Sequence, residues 1–474
     1  MESIKSIKFK KDVPKYISIY KCIKNLIDKK KIEDKEKLPT IRALSKELNV
    51  NNDTIINAYN KLKAEGYAYQ KMGSGTYARR KEVTSSFRKR YTAMLKKLST
   101  ESLEDIIDFT GETNSEVLFP INDLKETINV VLERDGTEAL VAKNRCGYNK
   151  LIETINRVFW NNELNEENIL IVSGAQQGID IAAKSIININ DTVIVEKPTY
   201  MGALSAFKWR KANIIEIPIK RNGIDLDKFE KILQKNHIKC FYTMSYFQNP
   251  TGITYNIESK KRILELAQIY DFYIIEDDYL SELIYTNDVD YVPFKYLDKN
   301  NRVIYIKSFS KIFLPGIRMG YMAVPEVYKE IIEASKLNTD ITTSSLMQRA
   351  LDEYIATGKW KINIKNLNEE YSERYILMKE ILNNDFKDTL EYIDPHGGLN
   401  FYINIKNNKF TSNELFEELI KNNVYITPAQ IFFISPDDGK YSFRIGFYQT
   451  NKKKIFQGMS VLKETIEQLI NKKE

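Results

Sequence analysis

The sequence is poor in the residues on which thiol and imidazole chemistry depend. Among 474 residues there are three cysteines, Cys22, Cys146 and Cys240, and no two of them form a Cys-x-x-Cys pair. Neither a disulfide framework nor a zinc site is indicated, and a reducing compartment fits this content. The two histidines, His237 and His396, are too few to suggest a metal centre or a histidine-based catalytic triad.

Long apolar runs are also missing. No stretch approaches the roughly 20 apolar residues that a membrane helix needs, and the mean hydropathy is −0.41. Residues 1–11 lack the apolar stretch of a secretory signal. We therefore expect a cytoplasmic protein without a membrane segment or a metal. The length allows two or three domains.

The most informative segment is an apolar run at residues 305–311, which ends in Ser308, Ser310 and Lys311 and is followed by Arg318. Its β-branched and aromatic residues predict a buried strand. A lysine amine can form a Schiff base with an aldehyde, and serine hydroxyls and a guanidinium suit phosphate oxygens. The alternative is a solvated loop lysine, so the interpretation depends on further segments.

Two of these segments precede it in the chain. The run 274–279 predicts another strand and ends in carboxylates that include Asp277. Pyridoxal phosphate acts as an electron sink while a carboxylate keeps its ring nitrogen protonated. The turn at 248–252 carries Asn249, whose side chain could bond the phenolic oxygen of that cofactor.

Three more segments complete the pattern. Residues 169–178 predict a strand, a tight turn and a helix start at Ala175 and Gln176, where free amides and the helix dipole favour phosphate. Tyr200 closes the next strand and could place a ring against the cofactor. Arg444 lies in an otherwise apolar run, and a buried arginine needs an anion, such as a substrate carboxylate.

Each segment also has an ordinary structural explanation. The turn at Asn249 is a common one, Asp277 could cap a helix, and Arg444 could pair with a structural acid. The order of the six segments and the placement of most of them at strand ends favour a ligand site, because ligands bind beyond the carboxyl ends of the strands in open α/β sheets.

In these motifs, residues 107–474 resemble a fold-type I pyridoxal-phosphate aminotransferase. The resemblance implies that Lys311 is the Schiff-base lysine and Asp277 the partner of the ring nitrogen. It implies further that Asn249 and Tyr279 contact the phenolic oxygen and that Tyr200 stacks on the ring. The phosphate cup would consist of Ala175, Gln176, Ser308 and Arg318, and Arg444 would bind the carboxylate of a substrate or effector.

The first 80 residues differ in charge from the rest. They hold 19 Lys and Arg against 9 Asp and Glu, a net charge of +10, while residues 81–474 carry −3. A basic module on a near-neutral body is typical of nucleic-acid binding. The alternative is a generally lysine-rich surface, but the asymmetry argues against it.

Apolar periodicity in this module predicts three helices. The first starts after Pro14, the second follows Thr40 as N-cap with Ala43, Leu44 and Leu48 facing inward, and the third follows a short turn. The apolar residues of the third are Ile55, Ile56, Tyr59 and Leu62. Two short helices joined by about four residues are typical of a helix-turn-helix. Residues 67–78 predict a hairpin.

This segment resembles the winged helix of GntR-type regulators, and its fusion to an aminotransferase-like body resembles the MocR subfamily. The resemblance implies that double-stranded DNA is contacted by Arg42, Asn52, Thr54, Gly73, Ser74 and Gly75. The family usually has Ser-Arg-x-Thr at the start of the recognition helix, whereas this chain has Asn51, Asn52, Asp53 and Thr54. We expect a weaker grip on the backbone and a different base preference, because asparagine favours adenine edges.

The expected domains are a winged helix at 1–80, a linker at 81–106 and an aminotransferase-like body at 107–474, whose smaller α+β part starts near 360. Alternating helices and strands predict a mostly parallel sheet covered on both faces. The predicted strands are 169–172, 192–195, 214–217, 239–244, 272–276, 303–307 and 321–324. A fold-type I site lies between subunits, so the resemblance also implies a homodimer.

Three functions stay open at this point. The chain is a regulator that senses pyridoxal phosphate and an amino-acid or amine effector, an active aminotransferase with an accessory DNA-binding domain, or a regulator whose body only dimerises. The intact Lys311, Asp277, Asn249 and Arg318 argue against the third, and the winged helix favours the first over the second.

One family residue is missing from the sequence. The family usually carries a tyrosine shortly before the glycine that matches Gly147, and this tyrosine reaches the phosphate of the partner subunit. Residues 142–146 contain no tyrosine, and Lys143 or Arg145 is a candidate replacement cation. We therefore expect cofactor binding, while efficient transamination stays in question.

Overall fold

The computed structural model describes residues 7, 9, 13–28, 31–33, 36–71, 74–79, 91–96, 106–111, 118–141, 144–286, 289–311, 313 and 315–472. The chain divides into two compact units, Met1–Lys96 and Lys97–Glu474. Most of the predicted linker at 81–106 lies outside the described residues, and within it residues 91–96 are helical. Among the described residues, no helix combines the length and the apolar character needed to span a bilayer.

The N-terminal unit consists of helices followed by a hairpin. Its elements are α1 (Lys15–Asp28), α2 (Ile41–Leu48), α3 (Asn52–Ala64), β1 (Ala68–Lys71) and β2 (Gly75–Ala78), with the two strands antiparallel. The predicted N-cap is present, because Thr40 Oγ1 accepts from the Ala43 amide at 3.2 Å. Helix α2 ends at Leu48 and is capped by Asn49, whose φ of 49° lies in the left-handed region. Between α2 and α3 only three residues remain, which is the spacing of a helix-turn-helix.

The core of this unit is built from one face of each helix. Leu44 of α2 and Ile55, Tyr59 and Leu62 of α3 are buried, together with apolar residues of α1. The prediction that Ala43 faces inward was wrong, since Ala43 is exposed, and Ile56, one of the apolar residues of α3, is 36% exposed. Successive residues on a helix point about 100° apart, so each falls outside the face that its buried neighbour defines.

The larger unit alternates helices with strands along most of its length. Its helices are α4 (Ile121–Asp135), α5 (Asn149–Trp160), α6 (Ala175–Ile186), α7 (Met201–Trp209), α8 (Leu226–Leu233), α9 (Ile257–Ile269), α10 (Phe294–Leu297), α11 (Lys329–Leu337), α12 (Ser345–Ala356), α13 (Lys359–Asp385), α14 (Ser412–Lys421) and α15 (Lys452–Asn471). Its strands are β3 (Ile107–Asp108), β4 (Ile169–Val172), β5 (Thr192–Lys197), β6 (Asn213–Lys220), β7 (Gly223–Ile224), β8 (Cys240–Thr243), β9 (Tyr273–Asp278), β10 (Val303–Ser308), β11 (Gly320–Ala323), β12 (Leu390–Tyr392), β13 (Asn400–Ile405), β14 (Val424–Tyr425), β15 (Thr427–Pro428) and β16 (Ser442–Gly446).

A large central sheet positions the candidate site. Its described strands follow the order β4-β11-β10-β9-β8-β5-β6-β7, and β11 and β7 are the antiparallel members. Strands β4, β8, β9, β10 and β11 are buried along almost their whole length, as expected for a sheet that is covered on both faces. Helices α6 and α7 pack against the sheet in one continuous core. Because most strands run parallel, their carboxyl ends lie at the same edge of the sheet. The predicted polar residues lie at or after the carboxyl ends of β4, β8, β9 and β10.

A second, smaller sheet carries Arg444. Its strands follow the order β12-β13-β16-β15, and β13 and β16 pair antiparallel with Tyr402 opposite Arg444. A separate short pair, β3 with β14, fixes the segment that leads into Thr110 and Gly111. The predicted fold class is confirmed, with a mostly parallel sheet and a smaller C-terminal α+β part.

Candidate functional sites

Lys311 lies three residues beyond the end of β10. Its amine is half-buried, donates to the hydroxyl of Tyr448, and lies 3.5 Å from the carbonyl oxygen of Gly111. The same amine is 4.7 Å from the ring centroid of Tyr448. The Tyr448 hydroxyl donates in turn to the Gly111 carbonyl at 2.6 Å. A phenol and a backbone carbonyl thus hold the amine in place.

A cradle of backbone amides is formed where β4 runs into α6. The helix begins after Gly174, whose φ of 91° suits glycine, and no side chain caps its first turn. The Arg318 guanidinium lies directly over this glycine, since a Cβ built there would be 3.0 Å from Arg318 Nη2. Arg318 itself has a φ of 49°, an uncommon conformation for a side chain of this size. Free helix amides and a guanidinium are thereby brought to one point.

Serine hydroxyls reach the same cradle from β10. Ser308 is the last residue of the strand and pairs with Gly320 of β11, which lies against the backbone of Gly174. Ser308 Oγ accepts from the Ser310 amide at 3.2 Å. The hydroxyl oxygen of Ser310 is buried and has no hydrogen-bond partner among the described residues. Ser310, the second serine of the predicted run, is thus a further candidate for phosphate binding beside the residues assigned to the phosphate cup.

Gln176 and Tyr200 lie side by side next to the first turn of α6, which Ala175 opens. Gln176 Nε2 donates to the Gly202 carbonyl at 3.2 Å. A Cβ built at Gly202 would collide with both side chains, at 2.0 Å from Gln176 Oε1 and 2.4 Å from Tyr200 Cε1. The absence of a side chain at 202 therefore lets the tyrosine ring lie close to the helix that forms the cradle.

Asp277 is buried near the end of β9. Tyr242 donates to its Oδ2 at 2.7 Å, while Oδ1 is buried without a partner among the described residues. Burial raises the pKa of Asp277 to about 7, and the Tyr242 hydrogen bond opposes this rise. An orphaned buried acceptor of this kind is costly and is suited to an N–H donor such as a protonated pyridine nitrogen.

A buried ion cluster lies beside Asp277. Lys307 donates to Asp278 Oδ1 at 3.0 Å, to Ser281 at 2.8 Å and to Glu282 Oε2 at 2.7 Å. Burial opposes the charge of Lys307, but the two carboxylates outweigh it and raise its pKa. Because Lys307 and Asp278 face each other in the β9–β10 register, the cluster fixes these two strand ends.

Arg444 and Asn249 are in direct contact. Arg444 Nη1 donates to Asn249 Oδ1 at 2.7 Å, and Nη2 donates to the Thr110 carbonyl. The guanidinium carbon lies 5.1 Å from the ring centroid of Phe432. Tyr279 donates to the Phe247 carbonyl at 3.0 Å, so its hydroxyl also lies by the turn that carries Asn249.

Two residues of this region were missed by the sequence interpretation. Tyr448 contacts Lys311, and the carbonyl of Tyr448 accepts from the fully buried guanidinium of Arg374. Gly111, with a φ of 73°, lies among Asn400, Tyr448 and Arg444. The signal for Tyr448 was weak, although it follows Arg444 by four residues. Gly111 gave no signal, because its role is that of a backbone carbonyl.

The set fits pyridoxal phosphate by its own chemistry. An amine, a buried unpaired carboxylate oxygen, an aromatic ring and a cradle of amides, hydroxyls and a guanidinium lie at the same edge of the sheet, as described above. A cavity of about 1190 Å³ lies elsewhere, between residues 135–153 and 330–349. It contains none of the predicted cofactor residues, although Arg145 and Gly147 line it. Lys143 and Ala142 lie outside the described residues.

The predicted DNA-binding residues lie on the N-terminal unit. Arg42 on α2 and Asn52 on α3 are exposed, and Thr54 is partly exposed. In the hairpin, Ser74 Oγ and the Tyr77 hydroxyl are 2.6 Å apart, and Gly75 has a φ of 122°. Gly73 lies outside the described residues. Tyr59 donates to the Pro39 carbonyl at 2.7 Å and thereby fixes α3 against the start of α2.

Comparisons with known proteins match the two parts of the chain to two different families. Residues 112–458 match the family of class I and II aminotransferases, and residues 15–78 match the GntR family of bacterial regulatory proteins. Aromatic-amino-acid aminotransferase 1 of Thermococcus litoralis is 31% identical over 78% of this chain and 89% of its own. The uncharacterized HTH-type transcriptional regulator YdfD of Bacillus subtilis is 26% identical over 98% of both chains.

A solved structure supports the same fold. The multiple substrate aminotransferase from Thermococcus profundus superposes with a TM-score of 0.75 at 30% identity, over 80% of this chain and 95% of that one. The aminotransferase class I and II family depends on pyridoxal phosphate, so the predicted cofactor is confirmed at the level of the family. The residues that would hold it stay predictions.

Proposed function

The chain belongs to the class I and II aminotransferase family and carries a GntR helix-turn-helix domain, and from this we propose that it is a DNA-binding transcription regulator that senses pyridoxal phosphate together with an amino-acid or amine effector. The observation that carries the proposal is the coexistence of both units. A three-helix unit with a hairpin precedes a body in which Lys311, Asp277 and the cradle around Gly174 lie at one edge of the sheet. A regulator of this kind acts in the cytoplasm, where its operator is.

In the proposed holo state, each candidate residue has a distinct task. Lys311 would hold the cofactor covalently, and Asp277 Oδ1 would accept the ring N–H. Ala175, Gln176, Ser308 and Arg318 would hold the phosphate, with Tyr200 against the ring. The bound group supplies an aldehyde and an electron-withdrawing ring. Tyr242 orients Asp277 by occupying Oδ2, and Oδ1 stays without a partner among the described residues.

Arg444 would bind the carboxylate of the effector. Its guanidinium is buried. In this structure Nη1 donates to Asn249 Oδ1 and Nη2 donates to the Thr110 carbonyl. A carboxylate offers two charged acceptors in a matching geometry, which is stronger than two neutral ones. Binding of the effector would therefore replace the neutral Asn249 and Thr110 oxygens at Arg444 by the two charged oxygens of its carboxylate. Asn249 would then be released to bind the phenolic oxygen of the cofactor, and Tyr279 would have to leave the Phe247 carbonyl to do so.

The proposed active assembly is a homodimer. Large apolar side chains are exposed on α4 and beyond it, among them Ile121 at 66% and Leu140 at 67%. These side chains are candidates for the subunit interface that the fold-type I resemblance implies. Sedimentation at micromolar concentration should give twice the mass of the 55.3 kDa chain, and a monomer would contradict the proposal.

An active aminotransferase is the second candidate, and the similarity to named aminotransferases favours it. The two functions differ in turnover. Purified protein with the absorbance of a cofactor–lysine adduct but without transamination of any amino acid would support the regulator. DNA binding that ignores every ligand that alters this absorbance would support the enzyme.

Lys311 can be tested directly. Borohydride reduction of the purified yellow protein should fix the cofactor to the peptide that contains Lys311, and Lys311→Ala should abolish the label. Lys365→Ala is the matched control, because Lys365 is exposed and only loosely paired with Glu369 at 3.8 Å. A mass shift mapped to another lysine would contradict the assignment.

A further inference from the structure

The exposed face of α3 has an unusual composition. From Asn52 to Asn60 the exposed residues are Asn52, Asp53, Ile56, Asn57 and Asn60. They fall within an arc of about 140°, because residues three, four and seven apart share a helix face. The opposite side of the helix is buried in the core of the unit.

No lysine or arginine lies on this face in the first two turns. The cations of α3 are Lys61 and Lys63, both in its last turn. Lys61 pairs with Glu65 at 3.5 Å, and Lys63 donates to Gln70 of the hairpin at 3.2 Å. The commonest specific protein–DNA contact is an arginine or lysine on the O6 and N7 atoms of guanine. The leading part of α3 does not offer that contact.

Ile56 is the informative residue. Among the described residues of the N-terminal unit, it is the large apolar side chain that remains exposed, at 36%. The exposed third of the Ile56 side chain gains no packing energy in the free protein. In a major groove, the group that rewards an apolar side chain is the 5-methyl of thymine. Asn57 follows it on the same face, and an asparagine bonds both N6 and N7 of adenine.

We propose that α3 reads an A·T-rich half-site, with Ile56 against a thymine methyl and Asn57 on an adenine edge. This inference rests on the proposed DNA-binding function and specifies its target. Asp53 is the exception on the face, since a carboxylate can accept from N4 of cytosine. Asp53 lies in the first turn of α3, where the helix dipole favours a negative charge. We therefore expect that one C·G pair is tolerated at the edge of the half-site.

Selection of the full-length protein on a randomised double-stranded DNA library tests the proposal. The recovered half-sites should be rich in A·T pairs. Replacing single thymines by uracil removes one methyl group each. At the thymine that Ile56 contacts, this replacement should weaken binding of the wild type about fourfold, because burying one methylene-sized group contributes about 0.8 kcal/mol. The same replacement should leave the affinity of Ile56→Ala unchanged. Replacing one adenine by 7-deazaadenine removes the N7 acceptor and should weaken binding of the wild type about 2- to 10-fold, but not binding of Asn57→Ala.

Asn25→Ala provides the matched control, since Asn25 is an exposed asparagine on α1. It should retain the wild-type response to both base analogues. Half-sites whose essential pairs are G·C, or analogues that affect the wild type and both α3 variants equally, would overturn the inference while DNA binding itself stands. Failure of the wild type to bind any library member at low salt would instead overturn the proposed function.

Discussion

Replacement of Asp277 by asparagine should change how the stability of the cofactor-free protein depends on pH. The folded protein binds the Asp277 proton more tightly than the unfolded chain does, because burial raises the pKa from 3.8 to about 7. Between these values the unfolded chain has lost the proton while the folded state keeps it. Stability therefore falls as pH rises through this window. One pKa unit corresponds to 1.36 kcal/mol. Ionisation of Asp277 therefore lowers the free energy of unfolding by about 4 kcal/mol as the pH rises from below 3.8 to above 7.

The side-chain amide of the variant Asp277→Asn keeps an acceptor for Tyr242 and cannot ionise. Between pH 5 and 8, the free energy of unfolding of the wild type should fall by about 3 kcal/mol more than that of the variant. Buried Glu196, whose pKa burial also raises to about 7, contributes equally to both proteins and cancels in the difference. Urea unfolding followed by tryptophan fluorescence reports on the larger unit, since Trp160, Trp209 and Trp360 all lie there. Parallel pH profiles would refute the reasoning.

Three further predictions concern single side chains. Arg444→Ala should weaken binding of an amino-acid effector about tenfold or more, because a hydrogen bond to a charged group contributes about 1.5–3 kcal/mol. Calorimetry should show cofactor affinity unchanged, and unaltered effector affinity would make Arg444 structural. Tyr448→Phe removes the hydroxyl that holds the Lys311 amine, so stopped-flow absorbance should show about 2- to 10-fold faster reaction with pyridoxal phosphate; an equal or slower rate would count against this role. Arg42→Ala should lower DNA affinity on all sequences and reduce the salt slope by about 1, and a loss confined to one sequence would point to base readout instead.

The architecture was predictable from the sequence because its signals are local. Strand runs, the Thr40 cap and helical periodicity each depend on neighbouring residues, and the fold class and the family were confirmed. Where periodicity did not fix the inward face, as at Ala43, only the packing of the other helices decides which residues are buried.

The details of the candidate site depend on distant parts of the chain. Tyr448 and Gly111 are 337 residues apart in sequence, and no local pattern indicates that they meet. Likewise, the order of segments suggested a role for Asp277, but only the fold shows that Tyr242 occupies one of its oxygens and leaves the other unpaired. The roles of the site residues toward the cofactor stay predictions until they are tested as above.

The backbone at Thr110 and Gly111 has a consequence for how a signal could leave the site. These two carbonyls accept from Arg444, Lys311 and Tyr448, and they follow closely on the stretch by which the chain comes from its DNA-binding unit. A ligand that takes over Arg444 and Lys311 removes donors from that backbone. We therefore expect ligand binding to change the hydrogen bonding of Thr110 and Gly111, at the point in the sequence where the larger unit begins after the linker.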